Sequence, residues 1–397
     1  MSTSPRIKIA AGAVQWPSAE NEPIPFNRFC KTGAEFGYIQ RAIDCMHISG
    51  DGDFTARCSE YLQASTGATK AFLTTSCTHA LEMAALLLEI KPGDEVIVPS
   101  YTFVSTVNAF VLRGATPVFV DIRPDTLNMD ERLLAEMITP RTRAIVPVHY
   151  AGVGCEMDAI MQIAAQHGIP VVEDNAHGLF GAYRGRNLGT FGCMATLSFH
   201  ETKNITCGEG GALLINDSRL IERAEILREK GTNRKRFFRG EVDKYTWVDL
   251  GSSYLPSEIL AAVLYAQLES SAKIQMSRSR LWNVYDASLR SWGMRHGIAL
   301  PFVPEHCQQA YHMFYLLLPS EQHRRELISH LKARQIQSVF HYVPLHLSEM
   351  GQKYGGRPGA CPVTEDISGR LLRLPFYNGL AEERQQRVID ALLEFKV

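Results

Sequence analysis

Between residues 70 and 216 the chain carries seven short apolar runs, each bounded by Gly, Pro or polar residues. They are KAFLTTS (70–76), DEVIVPS (94–100), TPVFVDI (116–122), RAIVPVHY (143–150), IPVVEDNAH (169–177), ATLSFH (195–200) and GALLIN (211–216). The runs are continuous rather than alternating, the pattern of strands buried on both faces. Between them, segments such as 80–90 and 157–167 place apolar residues at helical spacing. Strand runs that alternate with helices predict an α/β domain built on a largely parallel sheet covered on both sides. Several runs end in polar residues: Thr75-Ser76, Pro99-Ser100, Glu173-Asp174 and His200-Glu201. The carboxyl ends of strands are where open α/β sheets bind ligands, so any site is expected on that edge.

Beyond residue 216 the pattern changes. Helical spacing dominates from 219 to about 272, followed by a long helix-like run at 274–291. AYHMFYLLL (310–318), a helical 322–334, SVFHYVPLH (338–346) and an amphipathic 381–395 complete the chain, with YGGRPGACP (354–362) as a surface loop. The order strand, helix, strand, helix predicts a smaller α+β domain. The expected division is an N-terminal extension (1–23), a large domain (24–272) and a small C-terminal domain (273–397). A chain of 397 residues is long enough for two cores. A formal net charge of −1 argues against nucleic acid or an anionic membrane as the main partner. No apolar stretch is long enough to span a bilayer. The N-terminal residues lack the pattern of a secretory signal. Nine cysteines without C-x-x-C spacing read as reduced thiols, hence a cytoplasmic location, and no spacing of metal ligands occurs.

The chemistry concentrates at two of the strand ends. Lys203 follows ATLSFH and precedes the glycine-rich CGEGG (207–211), where backbone can approach a ligand closely. An isolated lysine is ordinarily a solvated surface residue. One at the end of a buried strand loses part of its solvation, which lowers its pKa and frees an amine for Schiff-base chemistry. Asp174 ends IPVVED. A carboxylate there is either a helix cap or a buried partner for a protonated ring nitrogen. Twenty-nine residues separate the two, room for one further strand, so both fall on one sheet edge. His177 lies three residues beyond Asp174. Thr75-Ser76-Cys77-Thr78 joins the first strand to the helical 80–90, a junction where free N–H groups and the helix dipole suit a phosphate and Thr78 adds a hydroxyl; Ser198 offers a second. An ordinary Ser/Thr cap explains the first of these pieces equally well. Phe103, beyond the second strand, is either core or an aromatic that stacks on a ring. The basic run REKGTNRKRFFRG reads as a solvated loop or, through Arg234, Arg236 and Arg239, as a diphosphate receptor. An amine, a carboxylate and hydroxyls in these places are what a pyridoxal 5'-phosphate (PLP) site needs.

In this order the motifs resemble the DegT/StrS family of PLP-dependent sugar aminotransferases. The landmarks are SCTHALEMAALLL, PGDEVIVPSYTFVSTVNA, PVFVDIRPDTLNMD, VPVHYAG, VVEDNAHG, LSFHETKN with GEGG, GSSYLPSEILAAVLYAQLE, and FHYVPLH with RLLRLPFYN, from about residue 24 to the C-terminus. The resemblance implies fold type I: a large domain with a mostly parallel seven-stranded sheet and a smaller α+β C-terminal domain. It also implies Lys203 as the Schiff-base lysine, Asp174 on the pyridine nitrogen, His177 beside the ring and Phe103 stacked on it. Cys77, Thr78 and Ser198 would hold the phosphate, and His341 would approach the sugar. In relatives an asparagine of a G-x-N-Y segment reaches the phosphate from the second subunit of a homodimer. Here Ser253 takes that position, and Asn175 stands where relatives often carry a small residue. The implied reaction moves the amino group of L-glutamate to the keto group of a nucleotide-linked sugar. Through PSYTFVST, SFHETKN, REKGTN and KYTW-DLGSSYL the resemblance further implies C4 of dTDP-4-keto-6-deoxy-D-glucose as the acceptor. Amination at C3, a dehydratase on the same fold (in which histidine replaces the lysine) and a non-catalytic sugar-nucleotide binder are the competing readings.

Overall fold

The computed structural model describes residues 22–396, so most of the expected N-terminal extension (1–23) lies outside the described residues. Seven strands form the central sheet: β1 (Lys70–Thr74), β2 (Glu95–Pro99), β3 (Thr116–Val120), β4 (Thr142–Ile145), β5 (Val172–Asp174), β6 (Met194–Ser198) and β7 (Gly211–Ile215). Their spatial order is β1-β7-β6-β5-β4-β2-β3, with β4 and β5 joined by the parallel bridges Ile145–Val171 and Val148–Asp174. Six strands share one direction, and β7 runs against both its neighbours. This is the largely parallel sheet the apolar runs predict.

Alternate residues serve opposite faces. Phe72, Val96, Val98, Val172, Met194 and Leu213 pack beneath the helix Cys77–Leu87. Ala71, Leu73, Ala195, Leu197 and Leu214 meet the helices Asp53–Thr66 and Glu258–Glu269 on the other side. The helix Met157–His167 coincides with its predicted bounds, and Gly168 closes it in a left-handed turn (φ 65°) that a residue with a side chain adopts only at a cost.

A separate core gathers Trp282, Tyr285 and Trp292 of the long helix Ser271–His296 with Phe314, Leu316, Leu372, Val388 and Leu392. Ile24 sits in this same core and bridges Ile336, so the first described residues pack with the C-terminal part of the chain. Its strands are β8 (Tyr315–Leu317) and β9 (Leu371–Arg373), paired antiparallel. Two sequence expectations fail here. SVFHYVPLH is not a strand: it runs irregularly into the short 3₁₀ turn Leu345–Leu347, with one bridge from Val339 to Arg373. The span 219–272 is not continuously helical, because 240–257 is irregular, tied by Val248 N–H to Gly231 O and by Thr75 N–H to Tyr254 O. The two cores meet through Tyr101, Tyr150, Met313, Tyr315 and Leu371, directly below the carboxyl edge of the sheet.

Candidate active site

The alternation of β5 sends Asp174 to the cleft and its neighbours away from it. Glu173 is fully buried behind the sheet, where it accepts hydrogen bonds from the N–H groups of Gly189 (2.8 Å), Phe191 (2.7 Å) and Gly192 (2.8 Å) and shares one with His149 Nε2 (2.9 Å). Asn175 also points away: its Nδ2 donates to Leu188 O (2.9 Å), and it packs so close to Gly178 that a Cβ there would lie 2.1 Å from its Oδ1. This asparagine therefore shapes the turn behind the sheet rather than the cleft.

Asp174 is buried, with Thr106 Oγ1 donating to its Oδ2 (2.7 Å) and Ala176 N–H donating to its Oδ1 (3.1 Å). Burial pushes its carboxyl pKa up, opposed by Thr106, by the Ala176 amide and by the positive charge of Lys203. Lys203 stands across the same edge, half-buried at the start of the irregular segment after β6. Burial lowers its amine from the ordinary 10.5 to about 8, although Cys77 and Asp174 pull it back up. An amine so placed is neutral in a far larger fraction near physiological pH than an exposed lysine, which makes it available as a nucleophile or base.

The helix Cys77–Leu87 starts at the end of β1. Ser76 caps it by accepting from His79 N–H (3.1 Å), which leaves the first N–H groups without intrahelical partners and aimed out of the helix start. Thr78 Oγ1 lies 2.7 Å from Ser105 Oγ. Cys77 is next to Lys203 and Asp174, and burial raises its thiol to about 12, so it sits there as a neutral, small wall residue. Gly211 of β7 touches this turn: a Cβ on it would lie 2.3 Å from Ser76 C and 2.4 Å from Cys77 N. Ser198, opposite Gly211 in the β6–β7 register, lines a hollow with Ala176, His177, Lys203 and His312.

His177 is buried and stacked on His312, ring centroids 4.1 Å apart, and its Nδ1 has no partner among the described residues. His341 bonds Tyr150 Oη through Nδ1 (2.7 Å), and its ring stacks on Tyr342 at 3.6 Å. Burial holds the pKa of all three imidazoles well below the usual range, so they are neutral at pH 7. Phe103 is 56% exposed at the mouth, its ring 6.3 Å from Tyr342. The structure thus brings Lys203, Asp174, His177, Ser198, Cys77, Thr78, Phe103 and His341 to one end of the sheet. Ser253 is different: it is exposed, bridged to Glu229 and outside this cluster within its own chain. Arg234, Arg236 and Arg239 also lie elsewhere, paired with Glu229, with Glu222 and Glu241, and with Glu225 and Glu241 respectively.

Several site residues escaped the sequence. Thr106 follows the second strand in YTFVST, but nothing local marks it as the donor that fixes Asp174. His312, Asn204 and Tyr342 come together only through the fold. Asn204 donates to Ala310 O (2.6 Å) and bonds His312 Nδ1 through Oδ1 (3.0 Å), tying the residue after Lys203 to the C-terminal part of the chain. The residues present fit PLP on four counts: a neutralisable amine, a buried carboxylate opposite it, an open helix start walled by a glycine, and an orphaned imidazole nitrogen. Among the described residues no three His, Cys, Asp or Glu side chains cluster as metal ligands, and no helix is long and apolar enough to cross a membrane.

Comparison with known proteins agrees with this chemistry. The uncharacterised protein MJ1066 of Methanocaldococcus jannaschii is 34% identical over 348 residues, covering 86% of this chain and 89% of that protein. S. venezuelae DesV superposes with a TM-score of 0.85 at 33% identity, over 94% of this chain and all of that one. Spr1654 of Streptococcus pneumoniae, known in a PLP form, gives a TM-score of 0.86 at 27% identity, over 93% and 97% of the two chains; its PMP form gives the same score. The DegT/DnrJ/EryC1/StrS aminotransferase family matches residues 30–393. The chain therefore belongs to the DegT/DnrJ/EryC1/StrS aminotransferase family, whose fold type I enzymes are PLP-dependent transaminases of sugars.

Proposed function

We propose that this enzyme transfers the amino group of L-glutamate to C4 of dTDP-4-keto-6-deoxy-D-glucose, giving a dTDP-4-amino-4,6-dideoxyhexose and 2-oxoglutarate. The observation that carries the transamination is the placement of the Lys203 amine, lowered to about 8, across the strand edge from the buried Asp174 carboxylate. The choice of sugar rests on PSYTFVST, SFHETKN, REKGTN and KYTW-DLGSSYL, which resemble dTDP-4-amino-4,6-dideoxygalactose transaminase.

When bound, PLP supplies the electron sink that lets an amino group pass from one carbon to another. Asp174, its Oδ2 fixed by Thr106, would supply the carboxylate that keeps the ring nitrogen protonated. The Cys77 and Thr78 N–H groups and the hydroxyls of Thr78 and Ser198 would hold the phosphate, and Phe103 and His177 would flank the ring. Lys203 Nζ would anchor the cofactor, and it is the group that takes the proton from the donor Cα and returns one to the sugar carbon. His341 lines the sugar end of the cleft. Ser253 reaches the phosphate of the partner subunit in a homodimer. In support of that assembly, Trp247 (75% exposed), Val248 (49%) and Leu250 (50%) put an apolar surface on the segment that carries Ser253, with Leu112 (61%) lining the same hollow as Leu250. We further divide the chain into lobes at 272/273 and place the enzyme in the cytoplasm.

The test is incubation of the PLP-loaded enzyme with dTDP-4-keto-6-deoxy-D-glucose and L-glutamate, with the product's ring proton couplings assigned by NMR. The reading expects an amine at C4 and one equivalent of 2-oxoglutarate. Turnover only with a 3-keto sugar would replace it with the C3 reading.

A further inference from the structure

Away from the cleft, three side chains form a polar relay. Ser100 follows β2, and its Oγ lies 2.6 Å from Nδ1 of His346, whose Nε2 lies 2.9 Å from Oε1 of Glu365. The order is that of a hydrolytic serine, but Ser100 and His346 are both 0% exposed, so no substrate reaches the hydroxyl. The serine Oγ also accepts from His346 N–H (3.3 Å). The hydrogen bond from His346, helped by Gly359 N–H, holds the Glu365 carboxyl below the usual range. A carboxylate only accepts, so Nε2 carries a proton, and in the neutral ring Nδ1 accepts from the Ser100 hydroxyl. An apolar side chain at 346 would spare the desolvation of these groups. What a satisfied buried network adds is a single fixed geometry.

Both ends of the relay are anchored in the sheet. Ser100 continues β2, and Glu365 belongs to the helix Pro362–Arg370, whose first turn is held by Asp121 at the end of β3, the strand paired with β2. His346 is therefore clamped between two neighbouring strand ends. The stretch just before it, 340–344, is fastened at its two ends. Val339 and Arg373 exchange backbone hydrogen bonds at one (3.2 and 2.8 Å), and Leu345 N–H donates to Ser100 O at the other (3.0 Å). Between these pins Phe340 and Val343 are 54% and 61% exposed, so packing does little to place the chain. The two residues between them, His341 and Tyr342, face the cleft: His341 Nδ1 meets Tyr150 Oη (2.7 Å), and Tyr342 Oη lies 3.4 Å from His177 Nε2. A short span held at both ends has its middle set by the pins, and the relay is what makes the second pin rigid.

We infer that His346 is a positioning residue for the acceptor end of the cleft: held by Ser100 and Glu365, it fixes the stretch 340–345 so that His341 stands where it meets the sugar. This rests on the reading of His341 as lining the sugar end. The experiment crosses His346→Leu with His341→Ala in the PLP-loaded enzyme and measures kcat/KM for dTDP-4-keto-6-deoxy-D-glucose at saturating glutamate. His346→Leu should lower it about ten-fold in the wild-type background, because a misplacement of about 1 Å is enough for a loss of that order. In the His341→Ala background the same change should cost no more than about two-fold, since the group to be placed is gone. His346→Gln, which can still donate to Glu365, should recover part of the loss. Melting by circular dichroism checks the fold, and Ser100→Ala, which keeps the backbone bond from Leu345, takes the place of His346→Leu if that variant unfolds. In the apo-protein the His341 Cε1–H resonance, identified by its absence in His341→Ala, lies in the ring current of Tyr342, 3.6 Å away, and should shift in His346→Leu. Full kcat/KM in His346→Leu, an equal loss in both backgrounds, or an unshifted resonance each overturns the proposal. If the wild-type enzyme rejects this sugar but accepts another keto sugar, the acceptor named above is wrong, and the same cross with that sugar decides His346.

Discussion

Lys203 and Asp174 hold each other in check: each is penalised by burial, and each is partly relieved by the other's charge. The lysine amine loses its proton as pH rises through about 8, against an ordinary 10.5, so its reactive form is half-populated more than two units earlier than on an exposed lysine. Covalent uptake of PLP by the apo-protein, trapped with borohydride and located by mass spectrometry, should accelerate with a midpoint near pH 8 and involve Lys203. A midpoint close to 10 would place the amine in solvent. Asp174→Asn should keep the fold but lower PLP affinity and slow transamination by roughly 10²–10³-fold, the scale of one preorganised electrostatic partner. Thr106→Val, which removes only the donor that fixes Oδ2 at 2.7 Å, should fall between that variant and wild type. Single-turnover kinetics with glutamate measures both, and full activity in Asp174→Asn would reduce the carboxylate to a cap on Ala176 N–H. Asp174 and Lys203 were legible in the sequence because one closes a strand run and the other follows shortly after one. Thr106, His312 and Asn204 were not, because their importance comes from what the fold brings near, not from local spacing.

At the scale of elements, periodicity served where burial is regular. The seven apolar runs became the seven strands, and 157–167 became a helix with the same bounds, since each is dictated by a continuous buried face. It failed where side chains replace the backbone ladder as the organising contact. His341 and Tyr342 are held by stacking and by Tyr150, so the β-rich SVFHYVPLH pairs only at Val339. The helix Pro362–Arg370 starts where the predicted loop 354–362 ends and has no counterpart in the sequence pattern. It is fastened by Asp121 at the end of β3, whose carboxylate accepts from Val363 N–H (2.8 Å) and Thr364 N–H (2.8 Å), a cap contributed from 240 residues away that no local pattern reveals. The tightest junction is that of β7 with the start of the helix Cys77–Leu87. A methyl group on Gly211 would meet backbone at 2.3 and 2.4 Å, and backbone yields less readily than a side-chain tip. Gly211→Ala should therefore push the helix start away from Ser198, lowering the melting temperature and weakening PLP phosphate binding together. PLP affinity by fluorescence titration and thermal unfolding of the apo-protein test this, and a variant with unchanged affinity would show that the junction does not shape the phosphate site.

At the scale of the whole molecule, the site assembled within one chain leaves Ser253 unused. It lies on an irregular segment whose neighbours Trp247 and Leu250 are 75% and 50% exposed, and Leu250 adjoins Leu112, itself 61% exposed. Exposed apolar surface of this kind is the signature of a protein contact, and twofold pairing is the commonest way for a soluble enzyme to cover it. The expected particle in light scattering has twice the 44.3 kDa of the chain. If Ser253 completes the partner's phosphate cradle, two inactive proteins should complement one another. Lys203→Ala removes the amine, and Ser253→Arg puts a bulky side chain into the opposite cradle. In a mixed dimer both lesions fall in one site and the other site is wild-type. Random exchange makes half of the dimers mixed, each with one working site, so activity should return to roughly a quarter of the wild-type level. Exchange is verified separately by mass-tagged subunits. If exchange occurs and activity stays absent, Ser253 serves its own chain or lies outside the site altogether, and the exposed apolar strip has to be assigned to a contact that does not build the active centre.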